Sequence, residues 1–169
     1  EELENELKAY GLKLRTDIDP YAEIWKDRPS IPQSKAFTQS LEYAGESAAS
    51  KLARIRQQIG SNAIVLSMLE EVAWILNLRA NDVENTPFML GYVVVTPEKA
   101  LLYICKEKLT PAIEEYLKGE GVSIREYEEI ATDLHELDMP VYAQPNKTNY
   151  AVYSAIKNPI RKDSPVAKM

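Results

Sequence analysis

The densest apolar block of the chain, AIVLSMLEEVAWIL, runs from Ala63 to Leu76 and passes into the polar stretch NLRANDVENTPF that ends at Phe88. Ala63–Leu66 carries β-branched Ile64 and Val65 behind the turn residues Gly60, Ser61 and Asn62. This predicts a short strand buried on both faces. Ser67 and Glu70 stand at capping-box spacing, which predicts a helix that opens there and ends near Asn77. Val72, Ala73, Trp74, Ile75 and Leu76 leave that helix almost no polar face, as suits an enclosed element. The residues after it, Arg79, Asn81, Asp82, Glu84, Asn85 and Thr86, form a polar loop closed by Pro87. Loops of this kind on a rigid scaffold are where binding groups usually sit.

The flanking sequence predicts layers around this block. Glu1 to Tyr10 reads as a charged helix with Leu3 and Leu7 on one side and Gly11 as its stop. Asp19 and Pro20 suit the cap and first turn of a second short helix carrying Tyr21, Ile24 and Trp25. Pro29 and Pro32 then force an extended segment. The expected division is residues 1–32 as the tail of a preceding domain with its linker, 33–160 as an α/β domain, and 161–169 as a linker onward. Ala36–Leu41 reads as extended. The next helix has Ala48, Leu52, Ile55 and Ile59 on its inner face, Lys51, Arg54 and Arg56 opposite, and Gly60 at its end. Phe88–Thr96 and Ala100–Cys105 predict an antiparallel hairpin turned by Pro97, Glu98 and Lys99. Thr110 and Pro111 open a helix with Ile113, Tyr116 and Leu117 inward and Gly119 at its end. Val122–Arg125, a helix over Tyr127–Leu137, the strand Val141–Ala143 and a helix capped by Thr148 or Asn149 complete the series. Strand and helix alternate throughout, so the expected class is α/β, a mixed β-sheet flanked by helices on both faces.

Composition narrows the function classes. The net charge is −6 and no basic run occurs, which argues against a nucleic-acid surface. A single cysteine, Cys105, excludes an intrachain disulfide and suits a reducing compartment. No apolar run approaches the roughly 20 residues that span a bilayer, so a soluble, cytoplasmic protein with no membrane partner is expected. The chain opens on Glu1 and stops at Met169 after SPVAK, as expected of a piece of a longer protein.

Catalytic chemistry finds little support. The one histidine, His135, lies among Asp133, Glu136 and Asp138, but helix residues one and two apart point in different directions and cannot converge on a metal. These residues read as a solvated helix end. Cys105 at a strand terminus reads as a small buried hydrophobe. Neither a P-loop nor a dinucleotide glycine fingerprint is present. Trp74 reads as core, with a ligand-stacking platform as the weaker alternative. Arg79 and Asp82 suit either an ion pair that pins the loop or groups at the edge of a site.

Several separated segments, IWKDRPSIP, YAGESAASKLARIR, EEVAWILNLRANDVENTPF, NYAVYSAI and SPVAKM, together resemble cytosolic-type Xaa-Pro aminopeptidases of the creatinase-like peptidase family. The resemblance covers the stretch between the first domain of those enzymes and their catalytic domain. It implies a creatinase N-terminal fold with a ribonuclease H-like motif, as the second of three domains in a homodimeric metallopeptidase. Such a parent removes the residue preceding proline from peptides with proline at the second position. It implies two manganese ions on a catalytic domain whose five ligands are absent here, so this chain itself carries neither cofactor nor catalytic residue. The chain's partners would be that catalytic domain and a second subunit. Arg79, Asn81 and Asp82 become candidates for the substrate rim or an interdomain contact. One departure stands beside them: the family commonly has Leu-Arg-Gly where this chain has Leu78, Arg79 and Ala80. If the backbone there needs positive φ, alanine costs about 1 kcal/mol or more. The competing expectation is an independent α/β interaction or ligand-binding module. A stand-alone enzyme ranks third.

Overall fold

The computed structural model describes residues 2–169; the Glu1 start of the expected first helix lies outside them. Contacts divide the chain into two units, Glu1–Ile31 and Pro32–Met169. In the first, α1 (Glu2–Ala9) ends at Gly11, whose φ of 70° only glycine adopts at no cost. The helix expected after Asp19 does not form. Asp19 does accept from the Tyr21 amide at 3.0 Å, but its second oxygen is held by Arg28 at 2.6 Å, and residues 20–24 close only turns. One turn cannot repay helix nucleation before the prolines arrive. Its exposed apolar side chains include Tyr10, Ile24 and Trp25.

The second unit opens with β1 (Phe37–Thr38), α2 (Leu41–Ala44), α3 (Ala48–Ile59), β2 (Ala63–Leu66), α4 (Leu69–Leu76) and β3 (Leu78–Arg79). Next come β4 (Tyr92–Val95), β5 (Ala100–Tyr103), α5 (Pro111–Gly119) and β6 (Val122–Arg125). It closes with α6 (Ile130–Glu136), β7 (Val141–Ala143), α7 (Tyr150–Ala155) and β8 (Pro159–Arg161). Six strands form one mixed sheet in the order β6-β5-β4-β2-β7-β8, and β1 with β3 form a small separate ribbon. β4 is antiparallel to both neighbours, with Ile64 opposite Val95 and Val95 opposite Ala100; the other pairings are parallel. The sheet was expected from the alternation of strands and helices, and the structure contains it.

Strand alternation builds two cores. Ile64, Leu66, Val93, Val95 and Leu102 face α3, α4 and α5, whereas Ala63, Val65, Tyr92, Val94 and Tyr103 face α6 and α7. Each fully buried Leu, Ile or Val contributes about 1.5–3 kcal/mol by leaving water. The central strand β2 is buried along its length, as its unbroken apolar run predicted.

Several local expectations are corrected. α4 begins at Leu69 with Met68 as its cap and no side-chain cap bond. Ser67 Oγ instead meets the Lys147 carbonyl at 3.1 Å and Thr148 Oγ1 at 3.0 Å, so the capping box with Glu70 is absent. The extended segment at Ala36 stops early, because Leu41 already belongs to α2. β4 begins only at Tyr92. Gly91 just before it would bring a Cβ within 3.0 Å of the Tyr103 carbonyl, so the hairpin strands meet there at glycine spacing. Tyr127–Glu129 is a 3₁₀ turn rather than the first turn of α6, closed by a capping box between Glu126 and Glu129. Cys105 lies beyond β5, half-exposed, and donates to Glu107 at 2.9 Å. That bond first, and burial second, raise its pKa. Lys51, expected on the outer face of α3, is buried. β8 was not foreseen, since Pro159 opens it and only three residues pair. Among the described residues no helix is long and apolar enough to cross a membrane.

Candidate functional site

The polar loop after α4 is held from both ends, and the helix terminus comes first. Asn77 takes a left-handed φ of 52° and ends α4, a conformation asparagine tolerates better than most residues. The last carbonyls of a helix need donors; the Asn77 amide reaches those of Ala73 and Trp74, and three side chains add to it. Arg79 donates to the Ala73 carbonyl at 2.7 Å, Lys51 to that of Trp74 at 2.9 Å, and Tyr116 to that of Leu76 at 3.0 Å. Two of the three donors are cationic, matching the negative end of the helix dipole.

Lys51 also donates to Asn77 Oδ1 at 2.6 Å and stands 4.2 Å from the centroid of the Trp74 ring. Asn77 in turn donates to the Glu46 carbonyl at 2.8 Å, which ties the start of α3 to the end of α4. Trp74 is therefore half-buried against the core, with its ring partnered by an internal cation. Burial lowers the Lys51 pKa, opposed by the field of Glu46.

The second anchor is Asp82. Its carboxylate and the Lys108 ammonium form an ion pair with both side chains fully enclosed. Ser34 Oγ donates to one oxygen at 2.7 Å and the Leu90 amide to the other at 2.7 Å. The same Ser34 oxygen accepts from the Asn81 amide at 2.9 Å. Burial pushes the Asp82 pKa up, but Lys108, Ser34 and the Leu90 amide together outweigh it and hold the carboxyl below its ordinary value. Inside this clasp, a bridge between Val83 and Thr86 turns the chain through Asn85, at φ 58°.

The three candidate residues thus part company. Arg79 is half-buried and directs its guanidinium at the Ala73 and Leu78 carbonyls; it makes no ion pair with Asp82, whose partner is Lys108. Asp82 is enclosed, and only Asn81 is exposed, beside Glu84 and Asn85 on the loop surface. The condition for strain at Ala80, a positive φ, is not met. Among the described residues the positive-φ positions outside glycine are Asn77 and Asn85, and Ala80 packs fully buried in the core. Sequence reading missed Lys108 and Ser34, which lie 26 and 48 residues from Asp82. No local spacing joins them.

Elsewhere, Asp133 faces Arg125 at 2.9 Å and the Tyr103 hydroxyl at 2.9 Å, while His135 is exposed. Among the described residues no three His, Cys, Asp or Glu side chains are placed to hold a metal ion. The described residues do not fit a dinuclear metal site, and none is assigned to one. What the loop offers is an anchored surface on which Asn81, Glu84 and Asn85 are exposed.

Comparison with known proteins gives the chain a family. The model of the creatinase/prolidase N-terminal domain matches residues 27–169. Aminopeptidase P2 of Arabidopsis thaliana is 36% identical over 158 residues, covering 89% of this chain and 22% of its own length. A probable Xaa-Pro aminopeptidase P of Fusarium vanettenii is 37% identical over 132 residues, covering 76% of this chain and 21% of its own length. The chain therefore spans about a fifth of these relatives. The crystal structure of X-prolyl aminopeptidase from Caenorhabditis elegans, described as a cytosolic enzyme with a di-nuclear active site, superposes with a TM-score of 0.89. That match has 26% identity and covers 98% of this chain and 29% of the nematode chain. With a family model matched from Asp27 to Met169 and Xaa-Pro aminopeptidases among its relatives, the chain belongs to the creatinase/prolidase N-terminal domain family.

Proposed function

We propose that this chain serves as a non-catalytic domain of a metal-dependent Xaa-Pro aminopeptidase, shaping the mouth of the active site and contributing to subunit assembly. The observation that carries the reading is the superposition of 98% of the chain on less than a third of the nematode enzyme. The parent would act in the cytoplasm as a homodimer on peptides with proline at the second position. Two manganese ions would reside in the catalytic domain, on residues outside this chain. Within the division into residues 1–32, 33–160 and 161–169, the middle segment carries the anchored loop.

At the rim, the roles differ by residue. Asn81, exposed on the loop, would meet the substrate or the neighbouring domain, while Arg79 and Asp82 position it from behind. Assayed with Mn²⁺ and a Xaa-Pro peptide, the 169-residue chain is expected to release no amino acid, whereas the full-length polypeptide does. Turnover by the chain alone that a chelator abolishes would overturn the reading. In the full-length enzyme, Asn81→Ala is expected to raise KM with kcat largely kept, the signature of lost ground-state binding. An unchanged KM would remove Asn81 from the rim.

A further inference from the structure

We propose that the groove at the carboxyl ends of β7 and β8 binds the oxyanion of a small ligand, a phosphate or a carboxylate group. Its position follows from topology. The two strands are parallel neighbours, yet the chain leaves them toward opposite faces of the sheet. After β7 it enters α7, whose Val152 joins the core shared with α6. After β8 it runs to Ser164–Met169, where Val166 and Met169 pack on the core shared with α3 and α4. Such divergence opens a crevice outside the strand ends, the position at which α/β sheets bind ligands.

A groove of about 370 Å³ occupies this crevice, between residues 144–147 of one loop and residues 161–163 of the other. This volume lies in the range of small-molecule sites. Its charge runs against that of the molecule. The chain as a whole carries −6, whereas the lining of the groove includes Lys147 and Lys162 beside Arg161 and Asp163. Asp163 accepts from Gln144 Nε2 at 3.5 Å, which joins the two walls. Lys147 and Lys162 are exposed. The Lys162 ammonium stands 4.7 Å from the centroid of the Tyr142 ring, and Tyr142 is itself fixed by a 3.1 Å bond from Asn62. Gln144 and Asn146 add neutral amide donors of the kind that orient an oxyanion between cations. The acid behind the groove, Glu71, is enclosed and has Ser164 as its hydrogen-bond partner.

The test is a titration of the ¹⁵N-labelled chain with sodium phosphate and, separately, with glutarate, at ionic strength held constant with NaCl. Saturable amide shifts confined to residues 144–147 and 161–163 are expected with at least one anion. The anion that saturates first tells phosphate from carboxylate. Lys147→Ala with Lys162→Ala should weaken binding about tenfold, since two exposed charge contacts are lost. Lys147→Arg with Lys162→Arg should keep it within about twofold, because the charges remain. Lys99→Ala, a lysine of the β4–β5 turn, should leave it unchanged. Because the paired lysines are exposed, both double variants should melt with the parent chain. Shifts that fail to saturate with either anion, that spread over the whole chain, or that are indifferent to the paired alanines would overturn the proposal.

Discussion

Replacing Asp82 by asparagine tests the clasp that holds the candidate loop. The wild-type carboxylate faces Lys108 with neither side chain reaching water. Asparagine keeps the shape and one acceptor, so Ser34 Oγ or the Leu90 amide retains a partner. The Lys108 ammonium, however, loses its counter-charge inside the protein. Breaking a buried pair by removing one partner costs about 3–5 kcal/mol. For a domain of this size 1 kcal/mol corresponds to about 2–4 °C, so Asp82→Asn should lower the melting temperature by on the order of 10 °C. Urea unfolding followed by circular dichroism measures the free energy directly. Lys108→Met removes the orphaned charge, so the double variant should be more stable than the sum of the single losses, with a coupling of at least about 1 kcal/mol. The pH dependence has a defined sign. Because the folded-state pKa of Asp82 is lowered, its contribution is present above the unfolded carboxyl value of about 4 and is lost as pH falls through the folded value. The difference between wild type and Asp82→Asn should therefore shrink below about pH 4. A cost under about 1 kcal/mol, or additivity of the two substitutions within about 0.5 kcal/mol, would refute the reasoning.

Other substitutions probe the remaining anchors. Burial lowers the Lys51 pKa, so the folded state holds its proton less tightly than the unfolded chain, and this residue makes stability rise with pH up to the unfolded value near 10.4. Lys51→Met should flatten that slope relative to wild type in unfolding measured from pH 8 to 10.5; equal slopes would count against a lowered Lys51 pKa. Asn149→Ala removes the cap bond to the Val152 amide at 2.9 Å and the bond to the Tyr92 hydroxyl at 2.6 Å, with an expected loss of about 1–2 kcal/mol in the same denaturation assay. Ala80→Gly should destabilise by about 1 kcal/mol or more, since the backbone there lies outside the left-handed region, glycine adds unfolded-state entropy and a buried methyl is lost. A stabilised variant would show that the loop favours the conformation glycine provides.

The sheet was legible because its strands are short apolar runs separated by turn chemistry, and because alternation with helices admits few architectures. Thr110 and Asn149 also cap their helices as residue type suggests, accepting from the Ile113 and Val152 amides. Ser67 shows the limit of that logic. It has the spacing of a cap, but a loop 80 residues away takes its hydroxyl. Lys51 was placed outside because helical periodicity assigns faces by charge, whereas a helix end, an asparagine and a tryptophan ring together make an interior site for an ammonium. The loop itself was found from its polarity. Its chemistry was not, since Asp82 chooses Lys108 over the nearer Arg79, and tertiary pairing of this kind leaves no trace in local spacing. β8 escaped notice because Pro159 argues against an interior strand, and an edge is where proline is tolerated.

The middle of the sheet also carries a kinetic consequence. On one side β2 meets β4, whose own partner β5 is reached through a tight turn, and α5 returns the chain to β6 beside it. On its other side β2 meets β7, with Ala63 opposite Val141 across nearly half the chain. Closing that loop carries a larger entropy cost than closing the shorter one that sets Ile64 opposite Val95. Native-state hydrogen exchange is expected to show β4 and β5 amides opening only with the whole domain and β7 amides opening at lower free energy. Equal protection on both sides would show the sheet to be a single cooperative unit. If the sides differ, the seam between β2 and β7 is the line along which the domain comes apart first, and the groove beyond β7 lies on the half that loosens.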